Sequence, residues 1–79
     1  MLDAVIYTRQ GCHLCDEAEA KLRRVARDFP MTIRKVDVDA NPALRELYDY
    51  RVPVVEVDGR IVDEGAVTEY RLRQSLKPN

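Results

Sequence analysis

The sequence predicts an α/β fold in which a four-stranded mixed sheet is covered by helices on both faces, in the order β-α-β-α-β-β-α. Three observations predict it. Short β-prone apolar runs alternate with stretches whose apolar residues recur every three to four positions. The first two strand runs are separated by a helix-length stretch, so a right-handed parallel crossover is expected. The last two are separated only by Asp58-Gly59, a favoured two-residue hairpin turn, so they are antiparallel.

The elements follow one another closely. Residues 3–7 are short, apolar and β-prone and are bounded by Thr8-Arg9-Gln10-Gly11, which makes them the first strand. From His13 the period changes. Leu14, Ala18, Leu22, Val25, Ala26 and Phe29 fall on one helix face, and Glu17, Glu19, Lys21, Arg23, Arg24 and Arg27 lie largely outside it. Acidic residues come early and basic ones late, as the helix dipole favours, and Pro30 is expected to end the helix. Residues 31–38 form the second strand, with Met31 and Ile33 inward and Val36 and Val38 as further inward candidates. Asn41-Pro42 starts a second helix, with Asn as N-cap and Pro as first helical residue. That helix carries Leu44, Leu47 and Tyr48 and is interrupted by Arg51-Val52-Pro53. Tyr48 and Tyr50 are read as packing residues. Residues 54–57 and 60–63 are the hairpin strands. A last helix runs from just after Gly65 to about Leu76, with Val67, Tyr70, Leu72 and Leu76 as its apolar surface, and Lys77-Pro78-Asn79 as a frayed end.

With 79 residues there is room for one domain, spanning 1–79. A chain of this size buries only about 60–65% of the surface its unfolded form exposes, so the core must be compact. A net charge of −1, with Arg and Lys interleaved among Asp and Glu, leaves no basic footprint for nucleic acid. No apolar run approaches the ~20 residues of a membrane-spanning helix. The start, Met1-Leu2-Asp3-Ala4-Val5-Ile6, lacks the basic leader and long apolar run of a signal peptide. A cytoplasmic monomer that binds neither nucleic acid nor membrane is expected.

The two cysteines carry the chemistry. Cys12 and Cys15 are too close in sequence to staple distant segments, so their spacing points to redox chemistry or to metal. Cys12 falls where the first strand has ended and the first helix begins. Free backbone N–H groups and the positive end of the helix dipole both favour thiolate there, and thiolate is the attacking species. The dipole is worth 0.3–1 kcal/mol against about 1.36 kcal/mol per pKa unit, so nearby N–H groups and charge from Arg9 or His13 would supply the rest. Cys15, one helical turn on, would be the less exposed thiol. Cys12 is thus the candidate nucleophile, and Cys15 the thiol that resolves a mixed disulfide.

Tyr7-Thr8-Arg9-Gln10-Gly11-Cys12-His13-Leu14-Cys15 resembles the active-site segment of glutaredoxins, with Arg9 matching their basic residue three before the first cysteine. Val52-Pro53 looks like the Val–cis-Pro of that family, and Asp58-Gly59 like its hairpin turn. The resemblance implies a thioredoxin-like fold, a cis peptide at Val52-Pro53 beside the two sulfurs, and a Val52 backbone that pairs with the substrate as a short added strand. There are two departures. His13-Leu14 replaces the usual Pro-Tyr, which is expected to alter the redox potential. Asp63-Glu64-Gly65 replaces the glycine pair and Asp that hold the γ-glutamyl end of glutathione, so two carboxylates are expected to repel that end. Arg51, in place of the usual Thr, is a candidate for the other carboxylate. Glutathione is accordingly a possible co-substrate, protein disulfides and a thioredoxin-type reductant are the other expected partners, and no tightly bound cofactor is implied.

Other readings compete. His13 fits an exposed bystander as well as a thiolate-tuning group, and Arg9 fits a solvated charge. Asp37 and Asp39 read as surface carboxylates. Cys12, His13 and Cys15 fall short of the four ligands of a structural zinc, whereas a dimer could share an iron–sulfur cluster through Cys12. A non-enzymatic module, with the cysteines as redox sensor and the Val52-Pro53 edge as docking site, is a further alternative.

Overall fold

The computed structural model describes residues 1–78. Its elements are β1 (Leu2–Thr8), α1 (His13–Val25), β2 (Met31–Asp37), α2 (Pro42–Tyr48), β3 (Val54–Val57), β4 (Arg60–Glu64) and α3 (Glu69–Leu76). The element order and the mixed sheet are those read from the sequence. Strand order is β2-β1-β3-β4. β1 runs parallel to β2 and antiparallel to β3, and β3 is antiparallel to β4 with an irregularity between Val55 and Glu56.

The period-2 alternation of the central strands builds two cores. On one face Ala4, Ile6, Val55 and Val57 pack with Ala18, Leu22 and Val25 of α1 and with Val67 and Leu72. On the other, Val54 packs with Val38 and Tyr48, and Tyr7, Leu44 and Val52 lie against them. Helices α1 and α3 therefore cover one face and α2 the other. Ile6, Leu22 and Leu72 are wholly buried, each contributing about 1.5–3 kcal/mol of apolar transfer. The α1–α3 side is thus a firm base for the residues at the start of α1.

Several boundaries differ from the sequence expectation. The buried stripe of α1 is Cys15, Ala18, Leu22 and Val25, while Leu14 is 46% exposed. Successive residues turn about 100° around a helix, so the face centred on Cys15 turns Leu14 outward. The helix closes at Val25, not at Pro30. The N–H groups of Arg27 and Asp28 bond three residues back, to Arg24 and Val25 (3.2 and 3.0 Å), so the last residues are tighter turns. Val38 lies just beyond β2 in a 3-10 turn, Val38–Ala40, where the Asp37 carboxylate accepts the Asp39 N–H (2.9 Å).

Helix α2 begins as expected, with Asn41 Oδ1 accepting the Ala43 and Leu44 N–H groups. Its packing falls to Leu44 and Tyr48, since Leu47 is largely exposed and Tyr50 is 98% exposed. The Asp58-Gly59 turn has positive φ at both positions (50° and 83°), the conformation that suits a type I′ hairpin and that glycine adopts freely. Helix α3 starts four residues after Gly65. Thr68 is its N-cap, accepting the Arg71 N–H (3.1 Å). Val67 is buried ahead of the helix and Tyr70 is largely exposed. Helix α3 ends at Leu76, and the expected frayed end extends to Asn79, which lies outside the described residues. Among the described residues no helix is long and apolar enough to cross a membrane.

Candidate active site

The chain leaves β1 and turns through Gly11, whose φ of +72° a larger residue would adopt only with strain. Cys12 follows in extended conformation as the N-cap of α1. Its Sγ accepts the Cys15 N–H at 3.2 Å and its carbonyl accepts the Asp16 N–H at 3.2 Å. A sulfur thus takes the place usually held by a capping hydroxyl or carboxylate and satisfies one of the unpaired donors of the first turn. Cys15 is 2% exposed, whereas Cys12 is only partly buried. The two are joined as a disulfide with Cα atoms 5.2 Å apart.

A cleft of about 340 Å³ opens on the Cys15 side, where Thr8, Gly11, Glu19 and Lys35 are among its lining residues. Glu19 bridges Lys35 and Arg23, each at 3.0 Å. Lys35 foremost, and then Arg23, hold its carboxyl below the ordinary value against the opposing push of burial.

Val52-Pro53 is a cis peptide. Tyr7 of β1 pairs with Val54 of β3, so the end of β1 that leads to Cys12 and the start of β3 that follows Pro53 lie at the same end of the sheet. The Val52 N–H donates to the Tyr48 carbonyl (3.2 Å), and the Arg51 N–H donates to the same oxygen (2.9 Å). Beneath this segment the Tyr7 and Tyr48 rings pack with centroids 4.7 Å apart. The Tyr7 hydroxyl donates to Glu56 (3.1 Å). Burial first, and Glu56 second, raise its pKa above the ordinary tyrosine value.

Both arginines singled out in the sequence have carboxylate partners. Arg9 reaches Asp39 and Asp49. Arg51 makes a two-pronged pair with Glu64 (2.8 and 3.1 Å) and lies over the Tyr48 ring, 5.2 Å from its centroid. These pairings raise the pKa of both guanidinium groups and hold the Asp39 and Glu64 carboxyls below their ordinary values. His13 is largely exposed, with Nε2 3.3 Å from Glu17. Of the two carboxylates that replace the glycine pair, Glu64 is paired with Arg51 and Asp63 is turned inward. The Asp63 side chain, 7% exposed, accepts the Thr68 N–H (3.1 Å) and Arg71 Nε. The structure therefore gathers Cys12, Cys15, Arg51, Val52 and Pro53 at one end of the sheet, points His13 toward solvent, and ties Arg9 to the end of α2. The sequence did not single out Asp49 and Glu64 as arginine partners or Tyr48 as the platform under Arg51. They lie 40, 13 and 3 residues from the cations they meet, and no spacing rule announces the first two. Among the described residues no group of three or more His, Cys, Asp or Glu side chains is placed to hold a metal ion.

Residues 4–77 match the family described as Glutaredoxin-like domain (DUF836). The chain is 33% identical over 76 residues to an uncharacterized protein of Mycobacterium tuberculosis, a match covering 90% of this chain and 78% of that one. A Northeast Structural Genomics target protein from X. campestris superposes with a TM-score of 0.80 at 32% identity, over 92% of this chain and 93% of that one. Fasciola hepatica thioredoxin superposes with a TM-score of 0.61 at 29% identity, over 95% and 77%. The element order and mixed sheet are those of the thioredoxin-like fold.

Proposed function

The chain belongs to the glutaredoxin-like domain family, and from that premise we propose that it is a thiol–disulfide oxidoreductase, with Cys12 as attacking thiolate and Cys15 as resolving thiol. The observation that carries this reading is the asymmetry of the two sulfurs. Cys12 sits partly exposed at a helix N-cap and accepts a backbone N–H, whereas Cys15 is 2% exposed. A hydrogen bond to an ionised acceptor is roughly twice as strong as one between neutral groups, so the Cys15 N–H favours the Cys12 thiolate. Burial disfavours ionisation of Cys15 and keeps it in reserve as the second thiol.

In the reductive direction the Cys12 thiolate attacks one sulfur of a substrate disulfide. The Cys12–substrate bond forms, the substrate S–S bond breaks, and the leaving sulfur departs as a thiolate that takes a proton. Cys15 then loses its proton and attacks Cys12 Sγ. The mixed disulfide breaks, the second substrate thiol is released, and the Cys12–Cys15 disulfide forms. Two electrons have passed to the substrate. A dithiol of thioredoxin type, or two molecules of glutathione, returns them. Protein disulfides and glutathione mixed disulfides are the substrate classes, reached through Arg51 and the Val52-Pro53 edge, with His13 as candidate tuner of the thiolate. The protein would work in the cytoplasm as a monomer.

The test is the equilibrium between reduced and oxidised protein in glutathione buffers, with the products identified by mass spectrometry. A reversible couple between about −180 and −270 mV is expected of a working oxidoreductase. Thiols that never pair, or a pair that does not reduce reversibly, would overturn the reading.

A further inference from the structure

Three residues before Cys12, the Arg9 guanidinium makes four bonds to two acidic residues. Nε and Nη2 reach the two carboxylate oxygens of Asp39 at 2.8 and 3.0 Å. Nη2 also reaches Asp49 Oδ1, and Nη1 reaches the Asp49 backbone carbonyl at 3.1 Å. Asp39 lies in the 3-10 turn that leads into α2, and Asp49 is the C-cap of α2. The Arg51 and Val52 N–H groups that close the end of α2 come two and three residues later, followed by the cis bond to Pro53. One side chain therefore ties the loop that delivers Cys12 to both ends of the segment that delivers Val52-Pro53.

The charge of Arg9 is already balanced. Arg45 also reaches Asp39, at 3.2 Å, so two guanidinium groups face two carboxylates. A neutral cluster open to water projects little field to a sulfur beyond it. A planar fork that engages a carboxylate and a backbone carbonyl together is, by contrast, a strong geometric constraint.

We infer that Arg9 is a positioning residue, which holds the Cys12 loop against the Val52-Pro53 edge through its fork and does not act on Cys12 through its charge. Its consequence for turnover rests on the oxidoreductase reading, whereas its consequence for local order does not.

Arg9→Lys and Arg9→Gln separate the two modes, because lysine keeps the charge and loses the fork. Three experiments are made on the full chain, starting from its reduced form. They are amide hydrogen exchange at Arg51 and Val52, the titration of Cys12 followed by its iodoacetamide alkylation rate, and KM and kcat for reduction of insulin with dithiothreitol as electron source. Both variants are expected to exchange at Arg51 and Val52 about fivefold faster and to raise KM by a similar factor, the size of effect fitting a bonded but partly exposed network. The Cys12 titration is expected to stay in place. Exchange and KM restored by Arg9→Lys, or a Cys12 titration displaced by Arg9→Gln with exchange unchanged, would overturn the inference. Failure of the wild-type chain to reduce insulin would count against the oxidoreductase reading alone, since exchange and titration still decide the role of Arg9.

Discussion

Replacing Asp63 with alanine is expected to destabilise the fold far more than replacing its neighbour Glu64, although both are acidic residues at the same turn. The Asp63 carboxylate accepts the Glu64 N–H (2.9 Å), the Thr68 N–H (3.1 Å) and Arg71 Nε (3.1 and 3.2 Å), and its side chain is 7% exposed. The Arg71 side chain is 51% exposed, so that pair is screened and contributes about 0–1 kcal/mol. The Thr68 N–H is partly buried and loses a charged acceptor, a cost of about 1–3 kcal/mol. The Glu64 N–H is exposed and water replaces the acceptor. The sum is about 1–4 kcal/mol, a large share of the roughly 4–12 kcal/mol that a chain of this length holds. The chain has no tryptophan, so urea unfolding is followed by far-UV circular dichroism. With a slope of about 1 kcal/mol per molar urea, the midpoint falls by about 1–4 M in Asp63→Ala and by less than about 1 M in Glu64→Ala. Asp63→Asn, which keeps one acceptor, falls between them. An Asp63→Ala midpoint within about 0.5 M of wild type would refute the claim that this carboxylate anchors the start of α3.

Further outcomes follow from the same contacts. Cys12→Ser is expected to abolish disulfide reduction, while Cys15→Ser accumulates a mixed disulfide on Cys12 that intact-mass analysis detects; full turnover by Cys12→Ser would remove the mechanism. Glu64→Ala frees Arg51, and KM for glutathione mixed disulfides is expected to drop about two- to fivefold at low salt, an effect that ~0.5 M salt removes; an unchanged KM would mean that Arg51 does not meet the substrate. The carboxyls of Glu19, Asp39, Glu64 and Glu69 are held below their ordinary values, foremost by Lys35, Arg9, Arg51 and Arg24. Their stabilisation is present above the unfolded-state values and is lost as pH falls through the folded ones. The urea midpoint should therefore be level between about pH 5 and 7 and decline below about pH 4.5, and a midpoint that rises on acidification contradicts these pairings.

What the sequence shows of this fold is what local chemistry decides. The Asn41-Pro42 cap, the Asp58-Gly59 turn and the alternation along β1 each act within a few residues, and each is where the sequence places it. The start of α3 was equally local. Thr68, three residues before the N–H it caps, is a start signal that sets the helix N-terminus beyond Gly65. The end of α1 was harder, because Pro30 forbids helix only just before itself and the tighter turns at Arg27 and Asp28 leave no mark in the apolar period. At the site, Cys12 and Cys15 are legible because their spacing and the strand–helix border define them together. The partners of Arg9 and Arg51 are not, since acidic residues are abundant along the chain and only the fold selects Asp39, Asp49 and Glu64 from among them.

The sulfur that caps α1 links chemistry to folding in both directions. A donor that favours the ionised form of Cys12 is held more tightly when that form is present, so whatever the first turn gives to the thiolate the thiolate returns to the first turn. The reduced protein should accordingly gain stability as Cys12 ionises, whereas a neutral Cys12 sulfur in a disulfide accepts the same N–H more weakly. On the proposed mechanism the amide of Cys15 would report the state of Cys12, its exchange slowest when that sulfur is ionised.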